Sequence, residues 1–468
     1  MWDIRKKAVR ADTGDEATGL VLPLTSGTPA TTRAPIPAGP PPMEGPGRQR
    51  LDVKVDIHRK LLERVNLALL EKFSRDELVR ELSGMISGIL NEHNMALNRG
   101  EHAELVEEVV DELVGLGPLE PLLKDESIND ILVNGPETVF VERYGLLERV
   151  ATRFQDEKHL LRIIQKIVSA VGRRVDESSP FVDARLADGS RVNAIVAPLA
   201  IDGSLLSIRK FSKKPISMSR MVELGSMTAQ MAPVLQGIVA AKLNIIISGG
   251  TGSGKTTMLN ALSTFIDGRE RIVTIEDSAE LQLQQEHVAR LETRPPNIEG
   301  RGEVTQRDLV KNALRMRPDR IILGECRGGE AFDMLQAMNT GHDGSMTTVH
   351  ANTPRDALSR IEQMIGMSGI DISARSARAQ IASAINVVIQ IGRLSDGKRK
   401  VLSISELTGM EGETITMQEI YRFTLSGRDE EGNVIGHFEP TGIRPRFLNQ
   451  LSSHGISLPA DLFRPLGP

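Results

Sequence analysis

The chain has 468 residues, of which 40% are apolar, and carries a net charge of -5 with a pI of about 6.1. That is enough chain for roughly two to four domains with proper cores, and its acidic balance argues against a dedicated nucleic-acid binder, whose domains are usually basic. A single cysteine, Cys326, excludes a disulfide framework and a cysteine metal cage, and it fits a cytosolic setting.

Residues 1–20 lack the apolar core of a signal peptide. Residues 1–50 are rich in Pro, Gly, Thr and Ala, ending in PAGPPPMEGPGRQR, and 1–52 are expected to be a disordered tail because they have little to bury. From Val53 the pattern changes. IHRKLLERVNLALLEKF repeats apolar residues at helical spacing, and Ser74 opens SRDE, a capping-box pattern with Glu77, ahead of a helix over 75–93. EHAELVEEVVDELVGLG predicts a third helix, so 53–117 reads as a helical module.

Residues 118–212 read as a small α/β domain. Short strands are expected at DILVNG, TVFVER, LLERVATRF, RVNAIVAPL and LLSIRKF, with a helix over 157–172 carrying Leu160, Ile163, Ile164, Ile167 and Val168. Residues 213–230 have no long periodic core and are expected to be a linker. From 231 to 468 apolar strands alternate with helices, which predicts a largely parallel sheet covered on both faces, followed by a less regular C-terminal extension. The longest apolar stretch, VLQGIVAAKLNIIISGG, is broken by Gln236, Lys242 and Asn244, so no transmembrane segment is expected and any membrane role would be peripheral.

GGTGSGKTT follows the apolar NIIIS and precedes a helical pattern, and Gly249 to Thr256 match G-x-x-x-x-G-K-[ST] throughout. Gly249, Gly250, Gly252 and Gly254, with Thr251 and Ser253 between them, let the backbone curl and turn its amides inward at a helix N-terminus. Lys255 would reach the β and γ phosphates of ATP, Thr256 would face Mg²⁺, and Thr257 beside it is counted with 249–256 among the nucleotide-binding residues. RIILGE ends in Glu325, a candidate to hold metal-bound water or polarise the attacking water; Gly324 stands where an aspartate is usual, and an ion pair with Arg327 is the plain structural role for Glu325. RIVTIEDSAEL supplies Glu276 and Glu280, which the sequence does not rank, and SMTTVHAN supplies His350. Arg209, Arg185 and Arg191 lie far from the loop in sequence and are candidates to reach a nucleotide across a domain or subunit boundary, because guanidinium suits developing phosphoryl charge. Arg315, Arg317 and Arg320 lie nearer in sequence.

GGTGSGKTT, TIEDSAEL, MRPDRIILGECRGGEAFDMLQAMNTGHDGSMTTVHAN and the upstream GLGPLEPLLKDESINDILVNG resemble the Walker A, Asp box, Walker B and His box of the type II/type IV secretion ATPase superfamily, and most of all its Tad/Flp pilus branch, the CpaF/TadA-type motors. The resemblance covers about 55–430 and implies a RecA-like P-loop NTPase domain preceded by a smaller α/β domain and an N-terminal helical module. It also implies a cytoplasmic hexamer at the inner membrane, with ATP and Mg²⁺ between the two domains and motion passed to membrane platform proteins that add or remove pilin. By motif position Lys255 and Thr256 fall on phosphate and Mg²⁺, Glu276 and Glu280 on the Asp-box acids, Glu325 on the Walker B glutamate, which this family uses without the aspartate, and His350 on the His box. A type IV secretion or conjugation ATPase is the alternative, with the same chemistry and a different cargo. A hexameric DNA translocase fits less well, since one Trp and two Tyr make no stacking platform; no specific nucleic acid is expected. A non-hydrolysing scaffold sits badly with Lys255, Glu276, Glu280 and Glu325 all present.

Overall fold

A computed structural model describes residues 57, 74–92, 97–143, 145–211, 215–296 and 300–465. The expected tail at 1–52 lies outside the described residues, as does the first expected helix apart from Ile57. Two helices lead, α1 (Arg75–Glu92) and α2 (Arg99–Leu113). The Glu77 carboxylate accepts from the backbone N–H of Ser74, one arm of the box that SRDE predicts, while the Ser74 hydroxyl donates to the same carboxylate. A full capping box, not read from the sequence, opens α2: Asn98 accepts from the Glu101 N–H, and Glu101 accepts from that of Asn98. Leu82, Ile86 and Ile89 of α1 pack on Leu105, Val109 and Val110 of α2, and Arg75 of α1 pairs with Glu107 and Asp111 of α2.

A short helix, α3 (Glu120–Lys124), leads into a six-stranded antiparallel sheet in the order β3-β2-β1-β6-β5-β4. Its strands are β1 (Ile128–Asn134), β2 (Val139–Arg143), β3 (Leu146–Val150), β4 (Phe181–Arg185), β5 (Arg191–Ile195) and β6 (Leu205–Arg209). The helix α4 (Glu157–Ala170) is capped by Asp156 and buries the predicted stripe Leu160, Ile163, Ile164, Ile167 and Val168 against one face of this sheet. β4 was not expected, because FVDAR at the sheet edge shows no clean apolar alternation.

The next stretch corrects the linker expectation in part. Residues 218–223 form a helix, α5 (Met218–Glu223), and Met218, Met221 and Met227 are buried in the core of a second, larger sheet. After α6 (Met231–Ala240) that sheet runs β15-β14-β13-β12-β7-β11-β10-β8-β9. β7 (Ile245–Gly249), β8 (Ile272–Glu276), β9 (Val288–Glu292), β10 (Arg320–Cys326), β11 (Met346–Val349) and β12 (Val387–Arg393) are mutually parallel. Their side chains alternate between two cores: Ile245 and Ile247 point to one face, Ile246 to the other, and Ile322 opposes Ile321 and Leu323 in the same way. One face is covered by α5, α6 and α7 (Lys255–Ser263), the other by α8 (Gln306–Ala313), α9 (Glu330–Asn339), α10 (Pro354–Gly366) and α11 (Ala374–Ala384). This doubly covered parallel sheet is the expected RecA-like P-loop fold, preceded by the smaller sheet.

The apolar KVLSISELTG run forms the expected strand, β13 (Arg399–Glu411), and the extension after it is more regular than expected: β14 (Thr414–Arg428) and β15 (Val434–Pro440) follow, and all three continue the large sheet as antiparallel strands. Much of β14 and β15 is half-buried or exposed and polar, so their apolar signal is weak. A last helix, α12 (Leu448–Ser453), buries Leu451 beside α6. Helices and both sheets belong to one compact unit. Among the described residues no helix is long and apolar enough to cross a membrane.

Candidate functional site

In the parallel part of the large sheet, β7, β11, β10 and β8 lie side by side and end at the same edge, where α/β folds gather their ligands. The glycine loop 249–254 leaves β7 there and enters α7 at Lys255. Three of its glycines are required, one by space and two by conformation. A Cβ on Gly249 would lie 2.5 Å from both the Ile391 carbonyl oxygen and Ser253 Oγ. Gly252 and Gly254 hold φ of 67° and 97°, the left-handed region open to glycine. Ser253 is buried and donates to the Gly250 carbonyl at 2.9 Å, which closes the curl. No side chain caps α7, so the amides of its first turn open toward the loop. Thr251 is exposed at the tip, and Thr256 and Thr257 are half-buried on the first turn. Lys255 Nζ donates to the carbonyls of Gly249 and Gly250, both at 3.0 Å. Burial pushes its pKa down, against the pull of the nearby Glu325.

Two acids stand on the neighbouring strand ends. Glu325 on β10 is paired with Arg327, whose Nε and Nη2 donate to one carboxylate oxygen at 2.8 and 2.6 Å; the ion pair considered from sequence is therefore real. Arg327 also reaches Asp277 at 3.2 Å, bridging the ends of β10 and β8. Glu276 on β8 is only 4% exposed. Its Oε2 accepts the N–H groups of Glu280 and Leu281 at 2.7 and 2.9 Å, and its Oε1 is buried without a partner among the described residues. Burial pushes its pKa up to about 7, with the two amides pulling the other way. Glu276 Cγ lies 3.0 Å from the point where a Cβ on Gly324 would sit, so this side chain fills the space that opens beside Gly324. Burial thus separates the two acids that the sequence left unranked: Glu276 is enclosed and Glu280 half-exposed.

His350 follows β11 and is half-buried at the same edge. The turn after it is held by Gln390 of β12, whose Nε2 donates to the carbonyls of Ala351 and Asn352 at 3.3 and 3.0 Å.

The three N-terminal arginines separate. Arg185 crosses from β4 to the large sheet, donating to Ser278 Oγ at 2.9 Å and pairing with Glu292 at 3.1 Å. It therefore touches the acid-bearing segment after β8 and not the glycine loop. Arg209 pairs with Asp130 at 3.2 Å, while the charges of Glu280 and Glu142 also act on it. Arg191 stays within its own sheet, 4.0 Å from Asp183. Arg320 is fully buried against Glu270 at the opposite edge of the large sheet, so it takes no part here, and Arg315 and Arg317 are exposed. Two arginines that sequence reasoning passed over stand beside the loop instead. Arg399 Nε donates to the Gly252 carbonyl at 2.8 Å, and Arg393 lies close to the same glycine. The signal was present as R-LSDGK-R, a turn sequence with arginine on both flanks.

Residues 112–425 match a family model described as type II/IV secretion system protein. The chain belongs to this family. A putative conjugal transfer protein of Mycobacterium tuberculosis is 40% identical over 307 residues, 64% of this chain and 87% of its own length. The type IV secretion system protein VirB11 of Bartonella henselae is 31% identical over 348 residues, 66% of this chain and 96% of its own. The solved structure of the VirB11 ATPase of the Brucella suis type IV secretion system, in complex with sulphate, is 28% identical, covers 61% of this chain and 94% of that one, and has a TM-score of 0.34. Membership in the secretion family supports nucleotide use and ATPase activity for this chain.

Proposed function

We propose that this chain is the ATP-hydrolysing motor subunit of a secretion-type machine, working as a homo-oligomeric ring, with a hexamer as the expected form. The observation that carries the reading is the uncapped start of α7 beneath a glycine loop closed at Gly249 and left-handed at Gly252 and Gly254, with Lys255 beside it and Glu325 and Glu276 on neighbouring strand ends. The donor set fits a nucleotide and its metal: loop amides and Lys255 for the phosphates, the Thr256 hydroxyl and Glu325 for Mg²⁺. When bound, Mg²⁺ neutralises charge on the phosphate oxygens. Lys255 holds the phosphates by exchanging its two carbonyl partners for phosphate oxygens. Glu325 orients the attacking water, and Arg327 keeps its carboxylate at the strand end. Glu276 holds the 277–281 turn through Oε2 and keeps Oε1 free to accept a proton or a water hydrogen bond. His350 contributes a polar contact from the next strand end. Arg185 links the small sheet to the Glu276 turn, and Arg209 and Arg191 are held as candidates for a neighbouring subunit's nucleotide.

Relatives named for conjugal transfer and type IV secretion favour a machine of that kind, with this subunit peripheral to the bacterial inner membrane and bound to membrane components. A Tad/Flp-type pilus motor is the second reading. It is favoured by the helices α1 and α2, nearly all of which precede the family match at 112, and by the GLGPLEPLLKDESINDILVNG segment after them. Deleting the gene separates the two: loss of DNA or effector transfer supports the first, and loss of surface pili with transfer intact supports the second. The enzymatic reading is tested on purified full-length protein. Lys255→Ala abolishes turnover, and Glu325→Gln keeps nucleotide binding while blocking hydrolysis. ATP turnover in Lys255→Ala equal to the parent's would end the proposal.

A further inference from the structure

The β12–β13 hairpin sets two like charges face to face, since Arg393 and Arg399 are direct cross-strand partners. That pairing weakens a hairpin by itself, so the two guanidiniums need partners beyond it. Arg399 has two: the Gly252 carbonyl at the tip of the glycine loop, 2.8 Å from Nε, and Glu142 on β2 of the small sheet, 3.8 Å from Nη2. Arg393 sits in the same cleft, 3.1 Å from the point where a Cβ on Gly145 would lie and 3.7 Å from that on Gly252. The next two residues extend the contact. Lys400 Nζ donates to the Gly225 carbonyl at 2.5 Å, and the Val401 N–H donates to the Ser226 carbonyl at 2.9 Å. Three consecutive residues of one strand therefore touch the glycine loop, the small sheet and the segment that joins the two sheets.

We propose that Arg399 is a positioning residue that fixes the tip of the glycine loop and, through Glu142, couples nucleotide binding at that loop to the small sheet. This rests on the nucleotide reading of the loop. Gly252 is in the left-handed region, so its carbonyl turns outward to Arg399 while the neighbouring amides are left for phosphate. A loop that tightens on phosphate shifts that carbonyl, and Arg399 must follow it or release it. Its second contact, with Glu142, is longer and half-exposed, so it is the one that changes. By linkage, whatever strengthens the Glu142 contact also alters nucleotide affinity.

The test measures binding of a fluorescent ADP analogue, and steady-state turnover, in the full-length protein and in Lys255→Ala, Arg399→Ala, Arg399→Lys, Glu142→Gln and the Arg399→Ala/Glu142→Gln double variant. Arg399→Ala weakens ADP binding about tenfold, about 1.4 kcal/mol, and raises KM for ATP alike while kcat stays within about threefold. Arg399→Lys recovers most of the affinity, because one charged donor to one carbonyl suffices. Glu142→Gln changes affinity by about threefold in the parent and not at all in the Arg399→Ala background, the signature of a coupled pair. Parental ADP affinity in Arg399→Ala, or additive effects of the two substitutions, overturns the proposal. If Lys255→Ala also binds ADP as the parent does, the nucleotide reading of the loop falls; if Lys255→Ala loses binding while Arg399→Ala keeps it, only the role of Arg399 falls. Should Arg399→Ala melt more than about 5 °C below the parent without nucleotide, a loss of folding stability, the same cycle is run on Arg399→Gln with the same two outcomes.

Discussion

Gly324→Ala is the sharpest test of the acid pair, because it adds one methyl group beside Glu276 and removes nothing. Gly324 is not among the glycines with positive φ, so alanine suits its backbone, and leaving glycine in a strand recovers about 0.5–1 kcal/mol. Against that, the new Cβ would sit 3.0 Å from Glu276 Cγ and 3.6 Å from Glu276 Cβ and the Ile275 carbonyl, where ordinary contact begins at 3.4 Å. Glu276 must retreat by roughly half an ångström, and it is not free to do so. Its Oε2 is held by two backbone amides at 2.7 and 2.9 Å. Overpacking of this kind costs about 1–3 kcal/mol, so the net loss of stability is about 0–2 kcal/mol and the protein remains folded. The effect on turnover is larger in proportion. A misplacement of about 1 Å costs on the order of a hundredfold in rate, and half that shift costs about tenfold. The expected result is a kcat about tenfold lower, with KM and ADP affinity within about twofold of the parent and a small drop in melting temperature. A coupled ATPase assay, ADP-analogue titration and thermal melts read the three quantities. Parental kcat in a folded Gly324→Ala protein would show that the placement of Glu276 does not matter for hydrolysis.

Two further predictions concern buried groups at the two ends of β10. Arg320 is fully buried and bidentate to Glu270 at 2.7 and 2.9 Å, so Arg320→Met costs about 3–5 kcal/mol in denaturant unfolding by leaving a buried carboxylate with only Lys242 nearby. Burial pushes Glu270 up, but Arg320 and Lys242 outweigh it and hold its carboxyl below the usual range. The pair's contribution is therefore full above the ordinary carboxylate pKa and is lost as pH falls through the depressed one, so parent and variant converge in acid. Adding Glu270→Gln recovers part of the loss; a single-variant cost under about 1 kcal/mol would refute the reasoning. Cys326 is buried and burial pushes its thiol up to about 12, so iodoacetamide at neutral pH labels it only after denaturant is added. Rapid labelling of the native protein would mean that the end of β10 opens readily.

The features legible in the sequence are those written locally. GGTGSGKTT carries its own conformational demands, and runs such as IIIS and RIIL show by continuous apolarity that both faces are buried. The SRDE start of α1 and the stripe of α4 are likewise settled by spacing within one element. What escaped depends on packing between elements. β14 and β15 are mostly half-exposed, so they carry little of the apolar signal that announced the parallel strands. Glu276 and Glu280 look equivalent four residues apart, and only the burial of β8 distinguishes them. Arg393 and Arg399 lie in a charged surface hairpin by composition; the antiparallel register and the adjacency of β12 to β7 bring them to the loop. Arg320 and Arg185 show the same limit in opposite senses, one buried at the wrong edge for a nucleotide and the other reaching across to a different sheet.

The two edges of the large sheet are built from different chemistry, and this bears on where motion can occur. At the edge away from the loop the polar groups are buried and paired. Arg320 binds Glu270 and the Val239 carbonyl. Asn244, 3% exposed, donates through Nδ2 to the Ala384 carbonyl and accepts the Ser345 N–H, while its own N–H goes to Asn386. These bonds tie the starts of β7, β10, β11 and β12 together, and breaking any of them leaves a buried polar group without a partner, which costs about 1–3 kcal/mol each. At the loop edge the connections run through Arg185, Arg327, Arg399 and Lys400, long side chains that are partly exposed. Partly exposed pairs contribute about 1 kcal/mol or less apiece and can exchange partners at little cost. A perturbation at the glycine loop therefore takes the softer route. It rearranges the arginine contacts to the small sheet and the 225–226 segment, and the parallel strands behind them stay in register.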